Sequence, residues 1–220
     1  MNIVTLENYT LQDATTGSRL QDFNFGLETG DTCAIDADYA DDARLLAGAL
    51  ATLIYPVSGT YTFREKVLDF GHYQNLLDVK RQIGYFGPNA ALVSNMTVRQ
   101  NLMLTRAYFE NRLDLDLHDD VKDLCTEFQL TEKLDLRPMT LSPIDIRAAI
   151  IIREISKPLQ LFIMDSPEAL IGQPGFRFLV TKLEQMTAAG LPLVLLCENN
   201  ELRARLTKRT VRIPLSGIKK

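Results

Sequence analysis

Residues 34–63, AIDADYADDARLLAGALATLIYPVSGTYTF, decide the reading of this chain. An apolar strand runs into a short loop and then an alanine- and leucine-rich helix, the order found around phosphate-binding loops, but the loop lacks the residues that bind phosphate. Such a loop needs Gly-x-x-x-x-Gly-Lys-Ser/Thr, because glycines let backbone N–H groups close on phosphate oxygens, lysine supplies charge and the hydroxyl holds Mg²⁺. Here Asp36, Asp38, Asp41, Asp42 and Ala43 stand in that span. Two unit charges about 4 Å apart interact by roughly 4 kcal/mol at an effective dielectric near 20. Micromolar nucleotide binding amounts to only about 8 kcal/mol. A few such repulsions are expected to cancel it, unless a cation bridges loop and phosphate. Asp41 and Asp42 also have a purely structural reading as acidic caps at a helix N-terminus, where the macrodipole favours them.

The composition is that of a soluble globular protein: 220 residues, 46% apolar and 24% charged. A net charge of −4 argues against nucleic acid as a partner. The basic run from Arg203 to Lys220 reads as a solvated terminal segment. Cys33, Cys125 and Cys197 are odd in number and widely spaced, which predicts buried reduced thiols and neither a disulfide framework nor a metal site. His72 and His118, the only histidines, read as surface residues. The N-terminus has no leader pattern and no apolar run approaches a bilayer span, so membrane association is expected only through a partner.

Along the chain, alternation at 3–6 and 20–27 predicts an antiparallel hairpin with one wet face, and 32–35 a strand feeding a helix at about 41–53. Strands are expected at 60–63, 66–70 and 82–86. From 97 to 155 the pattern is helical, with Leu102, Leu104, Tyr108, Val121, Leu124, Cys125 and Phe128 as apolar stripes. Continuous apolar runs at 159–164 and 192–197 predict strands buried on both faces of a parallel sheet, joined by a helix at 176–188 and followed by a strand at 209–213. The fold class is α/β, with an N-terminal antiparallel β layer and a helical subdomain. The expected single domain spans 1–220: β layer and first core half in 1–88, helical subdomain in 89–156, second core half in 157–220.

Several strings in this order resemble the ATP-binding subunits of ATP-binding cassette (ABC) transporters, whose core is P-loop NTPase-like. They are Glu28-Thr29-Gly30-Asp31, Pro56-Val57-Ser58-Gly59, Ile83-Gly84-Tyr85, Met96-Thr97-Val98-Arg99-Gln100-Asn101-Leu102, Leu141-Ser142 and Leu161-Phe162-Ile163-Met164-Asp165. The string from Ala91 to Val98 is similar to the ATPases of lipid-trafficking importers. The family's catalytic positions, carried over by this resemblance, are altered. Its phosphate loop falls on Asp36–Ala43 and its loop glutamine on or near Pro88. The signature Leu-Ser-Gly-Gly-Gln reads Leu141-Ser142-Pro143-Ile144-Asp145. Ser142, Pro143 and Asp145 also make a good helix start, with Ile144, Ala148, Ile151, Ile152 and Ile155 as the apolar face behind it. The magnesium-side aspartate is kept as Asp165, the general-base glutamate becomes Ser166, the switch histidine falls near Glu198, and the D-loop aspartate falls near Gly172. A serine cannot take a proton from water at neutral pH. Glu168 is the nearest substitute base.

The resemblance therefore implies a vestigial nucleotide site (Asp36, Asp38, Asp41, Asp42, Ala43, Pro88, Ser142, Asp165, Ser166, Glu198) with no catalytic residue, no metal and no cofactor, the family's ATP and Mg²⁺ being lost. It implies a structural or regulatory pseudo-ATPase, cytoplasmic and peripheral to the inner face of a membrane. Its expected partners are a permease subunit and either an intact ABC ATPase or a second copy of itself. Ala90, Leu92, Val93 and Met96 are the expected docking floor for the permease. Two alternatives stand beside it: a Mg-dependent haloacid-dehalogenase-like phosphatase with Asp36 as nucleophile and Asp38 as acid, and a free-standing scaffold dimer.

Overall fold

The computed structural model describes residues 1–112 and 116–213. The part of the basic run beyond Ile213 lies outside the described residues.

Among the described residues nine strands form two sheets. β1 (Asn2–Gln12), β2 (Arg19–Glu28), β4 (Ser58–Phe63) and β5 (Lys66–Val67) build an antiparallel sheet in the order β2-β1-β4-β5. β3 (Thr32–Ala37), β6 (Ile83–Phe86), β7 (Leu161–Asp165), β8 (Leu193–Leu196) and β9 (Arg209–Ile213) build a parallel sheet in the order β6-β7-β8-β3-β9. Bulges in β1 and β2 coincide with left-handed residues at Asn8 and Asp22, both at φ 49°, which let the pair twist without losing its register on Leu27 and Leu20.

The period of two along β7 and β8 explains the layering. Leu161, Ile163, Val194 and Leu196 face the antiparallel sheet and α1 (Ala40–Leu50), while Phe162, Met164, Leu193 and Leu195 face the helical side. Both faces are buried, hence the unbroken apolar runs. The helical side is built by α3 (Val98–Glu110), α4 (Asp119–Glu127), α5 (Pro143–Ile155) and α6 (Phe176–Ala188), and α2 (Leu77–Lys80) and α7 (Asn200–Leu206) complete the chain. α1 is buried along most of its length because its alanines, Gly48 and three leucines let it lie between the two sheets.

Several expectations are corrected. The 66–70 strand stops at Val67, where the Asp69 side chain accepts from Gly71 N–H at 2.8 Å and turns the chain. α1 ends at Leu50, not 53, because Thr52 takes a left-handed φ of 57° and Leu53 N–H returns to the Gly48 carbonyl at 2.8 Å. Tyr108 is 63% exposed, outside the apolar stripe of α3, and Ile144 is 46% exposed, ahead of the buried face of α5. All three cysteines are buried and both histidines exposed, as their surroundings in sequence suggest.

Candidate functional site

The parallel sheet delivers the C-terminal ends of β3, β7 and β8 to one edge, where open α/β sheets carry their ligand sites. A cavity of about 340 Å³ lies there, lined by Asp36, Asp38, Arg44, Asp165, Ser166 and Glu198 among others. The structure thus gathers the carried-over positions of the phosphate loop, the magnesium-side aspartate and the switch residue. It leaves Ser142 and Pro88 out of that lining.

The loop carboxylates do not act together. Asp38 pairs with Arg212 at 3.2 Å, Asp41 lies 3.7 Å from Arg44, and Asp42 is buried at the start of α1. The N-cap of α1 is Tyr39, without a side-chain capping bond, so Asp41 and Asp42 are first-turn acids and not the caps expected. Asp36 is exposed at the end of β3.

Asp165 is the centre of the site. It is 2% exposed at the end of β7, where Ser166 Oγ donates to one oxygen at 2.7 Å and Arg44 Nε donates to the other at 3.1 Å. Ser166 takes a left-handed φ of 56° ahead of a proline-led 3₁₀ turn, Pro167–Leu170. Ser166 offers no carboxylate for proton abstraction. Glu168 Oε1 accepts from Glu198 N–H at 3.1 Å, tying that turn to the end of β8. Burial, and next the neighbouring Glu168, push the Cys197 thiol up to about 12, so it stays protonated and inert. Gly172 sits at φ 85° with open space around it. Ser142 caps α5 as its surroundings predict: Oγ accepts from Asp145 N–H at 3.2 Å, the Asp145 carboxylate accepts from Ser142 N–H at 3.3 Å, and Lys133 holds the same carboxylate at 2.6 Å.

A second cavity, about 590 Å³, opens between α1, β6 and the start of the helical side, lined by Arg44, Gly48, Tyr85, Ala90, Arg153 and Lys157 among others. Ala90 is the one expected docking residue in its wall. Leu92 packs on the helical core, Val93 is 37% exposed and Met96 is half-buried. The 87–97 segment is held by Arg153 Nη1 donating to the Ala91 carbonyl at 2.9 Å. Buried Asn101 holds it too, accepting from Val93 N–H at 2.7 Å.

Residue-by-residue reading of the sequence missed Arg44 and Glu154. Arg44 is the only basic residue in 34–63, and that singularity was the available signal. Glu154 carried none, since its partners Tyr85 and Lys157 meet it only in the fold.

No protein-family model matches the chain. Among curated proteins it is 24% identical over 195 residues to the macrolide export ATP-binding/permease protein MacB of two Campylobacter jejuni strains, a match covering 88% of this chain. It spans only 30% of the length of those relatives. Among solved structures it superposes on the dimeric ATP-binding cassette MJ0796 in a post-hydrolysis state bound to ADP and Pi. That match has a TM-score of 0.80 at 15% identity and covers 96% of this chain and 94% of that one. An ATP-binding subunit of an ABC transporter aligns with a TM-score of 0.76 at 17% identity over 96% of this chain and 85% of the other. CbiO1 of Clostridium perfringens, part of the cbiONQ transporter complex, aligns at 0.68 with 16% identity over 96% of this chain and 84% of that one.

The fold is that of an ATP-binding cassette. The sequence match points the same way: over most of its length the chain is similar to the ATP-binding/permease protein MacB, as its fold is similar to that of the solved cassettes. The α/β class expected from the sequence is the one observed.

The expectation that no cofactor is used is corrected by the same findings. The curated relatives are named as ATP-binding, and the MJ0796 cassette carries ADP and Pi, so a nucleotide is what the similar proteins take. Repulsion summed over four carboxylates overstates the charge that faces one ligand, because in the fold Asp38 pairs with Arg212 and Asp42 is buried in α1. The residues present nonetheless do not fit magnesium held as the site stands. Both Asp165 oxygens already accept from Ser166 and Arg44, and the described residues contain no group of three or more His, Cys, Asp or Glu arranged around an ion. The phosphatase alternative loses its footing with the cassette fold, and Asp38 is tied to Arg212.

Among the described residues no helix is long and apolar enough to cross a membrane.

Proposed function

We propose that this chain is the ATP-binding-cassette component of an ABC transporter in which hydrolysis has been lost, serving a structural or regulatory role. The observation that carries the reading is Ser166. It follows Asp165, its hydroxyl is spent on Asp165 Oδ1, and no carboxylate takes up the role of base beside it. Glu168, two residues on, gives Oε1 to Glu198 N–H, and its Oε2, buried without a hydrogen-bond partner, belongs to the 3₁₀ turn and not to the position after Asp165. Ala43 brings no cation to the loop, and the one that Arg44 brings is spent on Asp165.

The single cassette domain, 1–220, then has its nucleotide edge formed by Asp36, Asp38, Asp41, Asp42, Ala43, Asp165, Ser166 and Glu198, with Pro88 and Ser142 flanking it. Its partners are a permease subunit and a second cassette, either an intact ATPase or another copy. The protein sits peripherally on the cytoplasmic face. The 590 Å³ groove, with Ala90 in its wall and Leu92, Val93 and Met96 further along the same 87–97 segment, is the place offered to the permease. Support for this reading is that 87–97 is pinned by Arg153 and Asn101, so the groove exists before any partner arrives.

Two measurements test it. Phosphate release from MgATP by the purified chain should stay at background, and turnover at an ordinary ATPase rate of about 1 s⁻¹ or more would overturn the loss of hydrolysis. The tagged chain should copurify with an integral-membrane permease. Recovery as a soluble homodimer alone would favour the free-standing scaffold.

A further inference from the structure

Asp165 needs a cation, and the chain supplies one from within. Its carboxylate is buried, a state that costs several kcal/mol unless the charge is paired. Arg44, in the second turn of α1 and 121 residues away in sequence, reaches it with Nε at 3.1 Å. Ser166 satisfies the remaining oxygen at 2.7 Å. The Arg44 side chain is 42% exposed and lines both the 340 Å³ and the 590 Å³ cavities, so it stands where solvent would reach the carboxylate.

We infer that Arg44 is the resident cation of Asp165, occupying from within the chain the place a divalent ion would take, so that such an ion gains the carboxylate only by displacing Arg44. The inference rests on the cassette reading of Asp165 as the metal-side carboxylate. It adds that access to this carboxylate is gated by one side chain. An incoming ion meets a fixed like charge within a few ångströms and two oxygens already hydrogen-bonded. It gains Asp165 when the guanidinium swings into either cavity, both of which have room for it.

The test uses Mn²⁺ alone as probe on the full chain, following paramagnetic broadening of the Asp165 and Ser166 backbone amides. Wild type and D165N should bind Mn²⁺ alike, because Asp165 is not available in either. R44S and R44Q should take Mn²⁺ at Asp165 about tenfold more tightly or better than wild type. D165N should abolish that gain in the double variant. R44K, which keeps a charge, should stay close to wild type. Circular dichroism establishes that each variant folds, and if R44S does not, R44Q carries the comparison. Broadening at 165 and 166 in wild type as strong as in R44S, or wild-type binding that falls on D165N, would overturn the inference. Either result leaves the transporter-component reading intact, since that reading is decided by copurification and phosphate release.

Discussion

Replacing Glu154 by glutamine should be among the most destabilising conservative changes in this protein. Glu154 is 5% exposed in the last turn of α5, accepting from Arg153 Nε at 2.9 Å, from Lys157 Nζ, and from Tyr85 N–H of β6 at 3.3 Å. The same two cations reach onward, Arg153 to the Ala91 carbonyl at 2.9 Å and Lys157 to the Ile83 carbonyl at 3.3 Å. One carboxylate therefore staples α5 to β6 and to the 87–97 segment. Glutamine keeps the volume and leaves two cations, 13% and 15% exposed, without a counter-charge. Removing one partner of a buried pair costs about 3–5 kcal/mol. The adjoining 590 Å³ groove admits water to both cations, which lowers the expected loss to about 2–4 kcal/mol. At about 2–4 °C per kcal/mol for a chain of this size, Tm should fall by roughly 4–16 °C. Urea unfolding should show a lower midpoint with an unchanged slope, meaning that stability and not compactness has changed. The double variant E154M/K157M removes one charge of each sign and should lose less than E154Q. A loss in E154Q under about 0.5 kcal/mol, the range of ordinary surface substitutions, would refute the reasoning.

Three further outcomes are expected. Ser142→Ala deletes the acceptor for Asp145 N–H and should cost about 1 kcal/mol by thermal melting, with Ser142→Thr recovering most of it. Burial works to raise the pKa of Asp145, but the hydrogen bonds from Lys133 and Ser142 outweigh it and hold the carboxyl below its ordinary value. The sign follows: a depressed folded value gives stability that is fully present above the unfolded value of about 3.9 and lost as pH falls through the folded one. Acid titration of stability should therefore be flatter in Asp145→Asn below about pH 4, and identical slopes would exclude the effect. Finally, Ser166→Glu should leave phosphate release from MgATP at background, because Arg44 still holds Asp165 and Ala43 supplies no cation. Measurable turnover in that single variant would show that the base alone was missing.

Much of the architecture could be read from residue order. The unbroken runs at 159–164 and 192–197 indicated strands covered on both faces, and β7 and β8 are so covered because alternate side chains enter different cores. Ser142-Pro143-Ile144-Asp145 indicated a capped helix start, since the capping box is formed within one turn and needs nothing from elsewhere in the chain. Element ends were less legible. Where α1 stops depends on a left-handed Thr52, and where β5 stops depends on the Asp69 turn.

The sequence by itself determined the fold class, the order of elements and the absence of a lysine, a loop glutamine and a general-base glutamate at the family's positions. Those are local statements, each settled by which residue follows which. Tertiary structure alone decided how charge is distributed at the site. Asp38 meets Arg212 across 174 residues and Asp165 meets Arg44 across 121. Because Coulomb interactions fall with distance in space, four aspartates that look like one acidic wall in the sequence become, in the fold, a pair with Arg212, a carboxylate 3.7 Å from the arginine that holds Asp165, a buried helix acid and an exposed strand end.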